Sequence, residues 1–329
     1  MRKVVLCILC IFTVLACYQL NSGNKAQASA QSEIAMELTT GTVLLEGNAD
    51  ARRPMASTTK ILTAIIILED CDLDEVIQVP DEAVGVEGSS IYLKKGEKID
   101  IRDLLYGLML RSGNDSAAAL AIHHSKSIKA FAEVMTERAK KMGAVNSNFK
   151  NPSGLPDEEH YTTARDLCKI ACYAMRNDQF KKIVVTTDHT GKFRTYTNKN
   201  KMLRLYEGAN GVKTGYTLKA GRCLVSSAVR NGMDIVCVVL NCPDMYERSC
   251  AIFDNCFNKY KLLNLSSNKV FMCNKVLCKL KENKNIIVES NKTIDYKVSP
   301  YKNITDNAVG ELKVYSENSL IFNEKLYSI

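Results

Sequence analysis

Histidine is scarce in this sequence, and none of its four copies lies in a pattern that serves a serine hydrolase. A triad of the Ser-His-Asp type needs a histidine as its base, and in α/β-hydrolases its serine lies in a Gly-x-Ser-x-Gly elbow. No such elbow occurs in the chain. His160 follows the turn-rich segment 151–156, and we interpret it as a structural hydrogen-bonding residue.

The sequence also lacks any cluster of lysine and arginine interleaved with aromatic residues, which is the pattern of nucleic-acid binding. The formal net charge is +8, and Arg2, Lys3 and Lys25 near the N-terminus contribute to it. A charge this small is typical of a solvated basic surface, so we predict no nucleic-acid partner. Mild attraction to an anionic cell wall is a reasonable hypothesis.

No cysteine pattern indicates a metal site or a disulfide framework. Three of the thirteen cysteines lie in the N-terminal segment 1–30, and the others are scattered through apolar segments such as 234–240. This scatter predicts small buried hydrophobic residues. Cys168 and Cys172 would share a helix face, but no histidine or cysteine pair at ligand spacing accompanies them. We therefore predict no metal site.

The N-terminal segment 1–30 has the pattern of an export signal. Arg2 and Lys3 precede an apolar run from Val4 to Cys17, and a small-x-small cleavage pattern ends at Ala30. The run is shorter than the roughly 20 residues that a membrane-spanning helix needs. A lipoprotein signal ending at Cys17 is the alternative, although the leucine two positions before it fits poorly. We predict cleavage after Ala30.

The remaining length fits one large domain over 31–264 and a small β-rich domain over 265–329. The large domain is predicted to contain a strand, turn and strand at 33–46, then a buried helix that begins at Ser57. Its later predicted elements are helices at 101–110, 115–124, 127–142 and 163–176, an Asn-Gly hairpin of strands 223–229 and 233–240, and a helix at 251–263. Short alternating segments follow residue 266 and predict strands, including one at the C-terminus.

The helix predicted from Ser57 carries the first chemical motif, Ser57-x-x-Lys60. Side chains three residues apart share a helix face, so the amine of Lys60 can take the hydroxyl proton of Ser57. Unpaired N–H groups of the first turn can also stabilise negative charge there. Ser-x-x-Lys occurs four more times, at 22/25, 147/150, 266/269 and 299/302, but only Ser57 opens a long apolar helix.

Two further motifs follow in the chain. Ser112 and Asn114 lie in a predicted break between two helical segments, where a hydroxyl and an amide can be aimed into a cleft. Lys213-Thr214-Gly215 occurs once in the sequence, in a predicted strand whose glycine suggests that something approaches its backbone closely.

The ordered set Ser57-x-x-Lys60, Ser112-Gly113-Asn114 and Lys213-Thr214-Gly215 resembles the penicillin-binding proteins and serine β-lactamases. The Ser-Gly-Asn form, the turn at 151–156 and the small C-terminal β domain are similar to the low-molecular-mass D-alanyl-D-alanine carboxypeptidases in particular. The resemblance implies an α+β fold, in which an antiparallel sheet flanked by helices forms a transpeptidase-like domain.

By that resemblance Ser57 is the nucleophile, Lys60 is its general base, and Ser112 passes protons to the leaving amine. A neutral Lys60 is required, and partial burial beside the like charge of Lys213 would lower its pKa.

The resemblance also implies the substrate contacts. Asn114 would hold the substrate backbone, and Lys213, Thr214 and Gly215 would line the site of its terminal carboxylate. The backbone N–H groups of Ser57 and Tyr216 would form the oxyanion hole. Arg222 or Arg248 is a candidate second cation for that carboxylate, and the sequence does not choose between them.

The implied reaction removes the terminal D-alanine from peptidoglycan pentapeptide stems outside the cytoplasm and needs no metal or cofactor. β-Lactam antibiotics would acylate the same serine. Two alternatives stay open: a β-lactamase-like hydrolase or esterase, and a wall-binding module without chemistry. No Glu-x-x-Leu-Asn stretch lies between Ser112 and Lys213 to activate a deacylating water. Many relatives end in an amphipathic membrane helix, whereas the C-terminal pattern here predicts a strand, so membrane anchoring is not expected from it.

Overall fold

The structure is a computed structural model that describes residues 31–192 and 194–329, without the side chains of 303–305. The predicted export signal and its cleavage site lie outside the described residues, apart from the position that follows Ala30. Within this part of the chain no helix is both long enough and apolar enough to cross a bilayer.

A five-stranded antiparallel sheet with the strand order β2-β1-β9-β8-β7 organises the chain as far as Leu240. Its strands are β1 (Ser32–Glu37), β2 (Val43–Gly47), β7 (Ala209–Thr217), β8 (Gly221–Arg230) and β9 (Met233–Leu240). The predicted hairpins are confirmed. Asn231 and Gly232 both have positive φ angles, 51° and 75°, as the tight turn between β8 and β9 requires. Strand β7 is left at the edge of the sheet.

Helices cover both faces of this sheet. They are α1 (Lys60–Asp70), α2 (Ile101–Leu110), α3 (Asn114–Ser125), α4 (Ile128–Lys141), α5 (Ala164–Ala174), α6 (Asp178–Val185), α7 (Met202–Leu205) and α8 (Met245–Lys259). Helix α1 packs against α2, α3, α4, α5 and α6, and its residues from Ile61 to Ile67 are buried. A helix that is apolar all round belongs in the core, so α1 is the rigid centre of the helical layer. Helix α8 covers the opposite face of the sheet.

Two predicted helix boundaries were wrong. Ser57 lies on a 3-10 turn (Ala56–Thr59), and the α-helix begins only at Lys60. The helix predicted at 251–263 is α8, which starts earlier, at Met245. Residues from Tyr260 form strand β10 (Tyr260–Leu265) instead, because they pair with β13 (Lys284–Glu289). That pairing is a long-range contact which the local pattern does not contain.

Small hairpins and the C-terminal strands complete the fold. The segment between α1 and α2 contains strand β3 (Val76–Gln78), a 3-10 turn (Asp81–Ala83) and strand β4 (Lys98–Asp100), which pairs with β3. A second small hairpin pairs β5 (Asp188–Thr190) with β6 (Thr195–Thr197). The C-terminal strands are β11 (Val270–Cys273), β12 (Val276–Lys279), β14 (Ile294–Thr305), β15 (Ala308–Ser316) and β16 (Ser319–Ser328). They form a sheet in the order β11-β12-β16-β15-β14 around a separate apolar cluster. The predicted C-terminal β structure, including its final strand, is confirmed.

Candidate active site

The backbone around Ser57 is fixed by its own hydroxyl-bearing neighbours. Ala56 has a positive φ of 47°, which turns the chain sharply just before the serine. Thr58 donates its hydroxyl to the Met55 carbonyl at 2.6 Å, and Thr59 donates to the Ala56 carbonyl at 2.8 Å. These bonds hold the 3-10 turn, and Ser57 remains partly exposed while Thr58 and Thr59 are buried.

Lys60 is completely buried, and its amine contacts three oxygen atoms. Nζ of Lys60 lies 3.0 Å from Oγ of Ser57, 2.7 Å from Oδ1 of Asn114 and 2.6 Å from the carbonyl oxygen of Ser153. The predicted pairing of serine and lysine is therefore present. In a 3-10 turn side chains at i and i+3 eclipse, so the shift from an α-helical to a 3-10 start preserves this contact.

This set of partners suits a neutral amine. The oxygens of Asn114 and Ser153 can only accept hydrogen bonds, and a neutral amine has two N–H groups to give them. Its lone pair is then left for the third partner, the hydroxyl of Ser57, which can donate. Burial lowers the pKa of Lys60 well below its ordinary value, and the positive charge of Lys213 lowers it further. The negative charge of Asp115 opposes both effects.

The break between α2 and α3 brings Ser112 and Asn114 to the same place. Ser112 is buried and has a positive φ of 65°, a conformation that costs free energy for a residue with a side chain. The Asn114 backbone N–H bonds to the carbonyl of Ser89 at 2.7 Å, and its side-chain Nδ2 bonds to the carbonyl of Glu87 at 2.5 Å. The amide therefore turns its oxygen towards Lys60. Asn114 is the first residue of α3 rather than the last of the break.

The edge strand β7 closes the site from the other side. A Cβ atom added at Gly215 would lie 3.0 Å from the backbone nitrogen of Ser57 and 3.1 Å from the carbonyl oxygen of Met55. The glycine thus permits the close backbone approach that its position in the strand suggested. Lys213 is buried, its Nζ bonds to the carbonyl of Thr214 at 3.0 Å, and burial lowers its pKa to about 7.

These elements border one cleft with a volume of about 610 Å³. Its lining includes the predicted residues Ser57, Ser112, Thr214, Gly215 and Tyr216, and also Ser89, Lys199, Arg222, Met245 and Tyr246. Arg222 therefore faces the cleft. Arg248 instead donates two hydrogen bonds to the carboxylate of Glu33, at 2.6 and 2.8 Å. Of the two arginines that the sequence offered, only Arg222 lines the cleft.

Two groups at the site were not predicted from the sequence: the carbonyl of Ser153 and the side chain of Lys199. The carbonyl of Ser153 reaches Lys60 because Asn151 Oδ1 accepts the N–H of Gly154 at 2.8 Å and folds the turn back. Gly154 has a φ of 88° and crosses so close to the Ala56 carbonyl that no side chain would fit. Lys199 lies at the cleft and lowers the pKa of both Lys213 and Lys60 by charge repulsion. The turn at 151–156 was recognised, but a backbone carbonyl has no signature in the sequence.

His160 supports the site without reaching it, as predicted. The backbone N–H of Lys150 bonds to Nδ1 of His160 at 3.0 Å, so Nε2 carries the proton and lies 2.9 Å from Oγ1 of Thr59. Burial lowers the pKa of His160 to about 4. The ring is therefore neutral at pH 7, and its hydrogen bond to Thr59 stabilises the 3-10 turn.

The cysteines behave as small hydrophobic residues. All ten of the described part of the chain are unpaired, and eight are buried, including Cys168 and Cys172. Burial raises the pKa of the Cys168 thiol well above its ordinary value. The same residues contain no group of three or more histidine, cysteine or acidic side chains arranged to hold a metal ion.

The fold and the site together indicate which class of protein this chain belongs to. A serine and a buried lysine on a helical layer face an edge strand with a second lysine, as in serine enzymes of the transpeptidase and β-lactamase type. Solved structures agree: D-alanyl-D-alanine carboxypeptidase DacD from Francisella tularensis matches with a TM-score of 0.74 and 25% identity, over 91% of this chain and 92% of that one. Penicillin-binding protein 5 from Haemophilus influenzae, at 24% identity and a TM-score of 0.78, supports the fold alone, over 92% and 96% of the two chains.

The chain belongs to the D-alanyl-D-alanine carboxypeptidase family, whose profile matches residues 19–244. It is 32% identical to D-alanyl-D-alanine carboxypeptidase DacF of Bacillus subtilis (strain 168), over 78% of this chain and 68% of that protein. It is 37% identical to the D-alanyl-D-alanine carboxypeptidase of Streptomyces sp. (strain K15), over 66% and 82%. The predicted class, a low-molecular-mass penicillin-binding protein with a serine-type carboxypeptidase site, is confirmed.

Proposed function

We propose that this chain is an exported serine carboxypeptidase that removes the terminal D-alanine from peptidoglycan pentapeptide stems through an acyl-enzyme on Ser57. The contact set of Lys60 carries the proposal: a fully buried amine with two obligate acceptors, and a serine hydroxyl 3.0 Å away. Burial lowers the pKa of this amine well below that of an exposed lysine, which favours the neutral form that a general base needs. Family membership supplies the substrate class.

Acylation begins with proton transfer from Ser57 to Lys60. As Oγ of Ser57 bonds to the carbonyl carbon of the penultimate D-alanine, its proton moves to Nζ of Lys60, where Asn114 and Ser153 keep the ammonium solvated. The carbonyl oxygen becomes negative and is received by the backbone N–H groups of Ser57 and Tyr216. The close approach of Gly215 to the Ser57 nitrogen supports this pairing, because Tyr216 follows directly in the strand.

Breakdown of the intermediate expels the terminal D-alanine. Its amine needs a proton, and Ser112, whose strained backbone aims it into the cleft, passes one from the protonated lysine. The bond between carbon and the departing nitrogen then breaks and leaves an ester on Ser57. Water, deprotonated by the same lysine, hydrolyses the ester and releases the shortened stem. Penicillins would acylate the same serine, but their ring opens without a departing fragment to make room for water.

The terminal carboxylate of the stem is held by positive charge at the strand edge. Lys213 and Thr214 lie on β7, and Arg222 lies directly opposite Tyr216 on β8. Arg222 is our choice for the second cation, because Arg248 is occupied by Glu33. A free carboxylate is what distinguishes a terminal D-alanine from the same residue inside a chain, so these groups set the specificity for chain ends.

A β-lactamase-like hydrolase is the alternative, and the cleft disfavours it. Among the described residues that line it there is no carboxylate to activate water against a penicillin ester. We therefore expect slow release of bound penicillin, whereas rapid turnover would favour the alternative. An acyl group passed to an amine instead of water would be a transpeptidation by the same site.

The test is D-alanine release from a peptide ending in D-Ala-D-Ala, using residues 31–329. Ser57→Ala should lose release and labelling by fluorescent penicillin together. Ser266→Ala is the matched control, since Ser266 and Lys269 repeat the same spacing away from the cleft. Wild-type release by the Ser57 variant would contradict the proposal, and folded protein without any release would favour a wall-binding module.

A further inference from the structure

An exposed apolar row crosses β11, β12 and the residue that follows β16 in the C-terminal sheet. Met272 on β11 pairs directly with Leu277 on β12, and the N–H of Ile329 bonds to the Leu277 carbonyl at 3.1 Å. Directly opposed residues of an antiparallel sheet point to the same side. The three side chains are 67%, 53% and 68% exposed, which is unusual for neighbours on a sheet.

The next row on the same face combines apolar and basic side chains. Val270 is opposite Lys279, which is opposite Tyr327 on β16. Val270 is 50% exposed and Lys279 is exposed. The reverse face of these strands, by contrast, is packed: Cys273 and Cys278 are buried in the cluster beneath. The outward residues therefore contribute little to the packing of the sheet and are free to meet another surface.

Positive charge surrounds this face. Lys275, Lys279, Lys281 and Lys325 are exposed, and none forms an ion pair within residues 31–192 and 194–329. The nearest side-chain carboxylates pair with other lysines: Glu282 and Glu324 with Lys284, and Glu311 with Lys313. In a protein that ends at Ile329, the main-chain carboxylate of that residue adds a single negative charge, which the four lysines outnumber. The face is thus apolar at its centre and cationic at its rim.

We propose that this face, the outer side of β11, β12 and the end of β16, docks on the surface of a membrane that contains anionic lipids. Apolar side chains gain free energy only in an apolar phase, and unpaired lysines gain it near anions; an anionic bilayer surface offers both. A wall polyanion would leave the apolar row in water. A second copy of the same face would bring lysines against lysines. The proposal is independent of the chemistry assigned to Ser57.

Vesicle sedimentation of residues 31–329 tests the proposal. The protein should pellet with vesicles of phosphatidylcholine mixed with phosphatidylglycerol and not with phosphatidylcholine alone. Since each lysine near such a surface contributes about 1 kcal/mol, Lys279→Gln should weaken binding roughly fivefold. Met272→Ser combined with Leu277→Ser should weaken it further, and the loss should persist at low salt because it removes apolar contact.

Matched controls lie elsewhere on the molecule. Lys141→Gln removes an exposed lysine of α4, and Val145→Ser removes a side chain that is 65% exposed near it. Both should bind like the unaltered chain, and all variants should keep D-alanine release because the face lies outside the cleft. Equal binding to neutral vesicles, or full binding by the Met272 and Leu277 double variant, would overturn the proposal. The proposal would also be overturned if the unaltered chain bound soluble wall polyanions but no vesicles, and Lys279→Gln lost that binding to polyanions.

Discussion

Replacing Gly215 by alanine tests whether the meeting of sheet edge and 3-10 turn sets the catalytic geometry. The new Cβ would lie 3.0 Å from the Ser57 nitrogen, and 3.1 Å from both the Met55 carbonyl oxygen and the Thr58 nitrogen. All three atoms belong to the backbone, so no flexible side chain can move aside. The strand and the turn must separate by a few tenths of an ångström.

That separation moves the Ser57 hydroxyl relative to groups on β7, while its contact with Lys60, the residue at which α1 continues the 3-10 turn, is kept. A displacement of about 1 Å can cost on the order of 100-fold in rate, so a few tenths of an ångström should cost on the order of 10-fold in acylation. Crowding in a packed region costs about 1 to 3 kcal/mol in unfolding free energy. We expect Gly215→Ala to stay folded with a lower Tm.

The assay is the rate of Ser57 acylation by a fluorescent penicillin, measured beside thermal unfolding. Gly47→Ala is the control, because its Cβ would meet side-chain atoms of Glu33, at 3.3 Å and beyond, and no atom of the 3-10 turn. Acylation of Gly215→Ala at the rate of the unaltered chain would show that the close approach does not position the nucleophile.

Three further predictions concern charge. Lys199→Met removes a positive charge that lowers the pKa of Lys60. The pKa of Lys60 should therefore rise, and the acid limb of the pH–activity profile should move to higher pH. An acid limb at the same pH would contradict this prediction. Burial lowers the pKa of His160 from 6.5 to about 4, so the folded protein resists protonation of this residue. The free energy of unfolding should therefore fall by about 3 kcal/mol as pH drops from above 6.5 to below 4. His160→Gln should flatten this part of a plot of unfolding free energy against pH, and an equally steep fall would show that other groups cause it. Arg222→Gln should raise KM for peptides with a free terminal carboxylate, whereas Arg248→Gln should lower Tm without raising KM. A raised KM in the Arg248 variant alone would show that Arg248, and not Arg222, binds the carboxylate.

The chemistry could be predicted because it depends on a few residue types at short spacings. Ser57 and Lys60 are three positions apart, and any helical turn brings such a pair together, so the prediction survived the change from an α-helix to a 3-10 turn. Ser112 and Asn114 needed only a break between two helices. Lys213 needed only a strand. Family recognition followed from the order of these three short motifs.

Contacts between distant segments could not be predicted in this way. Tyr260 continues an apolar pattern that is compatible with a helix, and only its pairing with Glu289 makes it a strand. Lys199 is one of 44 basic residues, and nothing local distinguishes it. The carbonyl of Ser153 belongs to the backbone, which every residue possesses.

By itself, then, the sequence determined which groups could react and in which local turns they lie. Only the tertiary structure decided the state of those groups. The proposed role of Lys60 as a base depends on the helices and the turn of Ser153, which remove its amine from water and offer its N–H groups acceptors. Arg222 rather than Arg248 lines the cleft because Glu33, from the first strand of the sheet, binds the latter. Burial and charge pairing depend on what the fold brings near, and that information is spread over the whole chain.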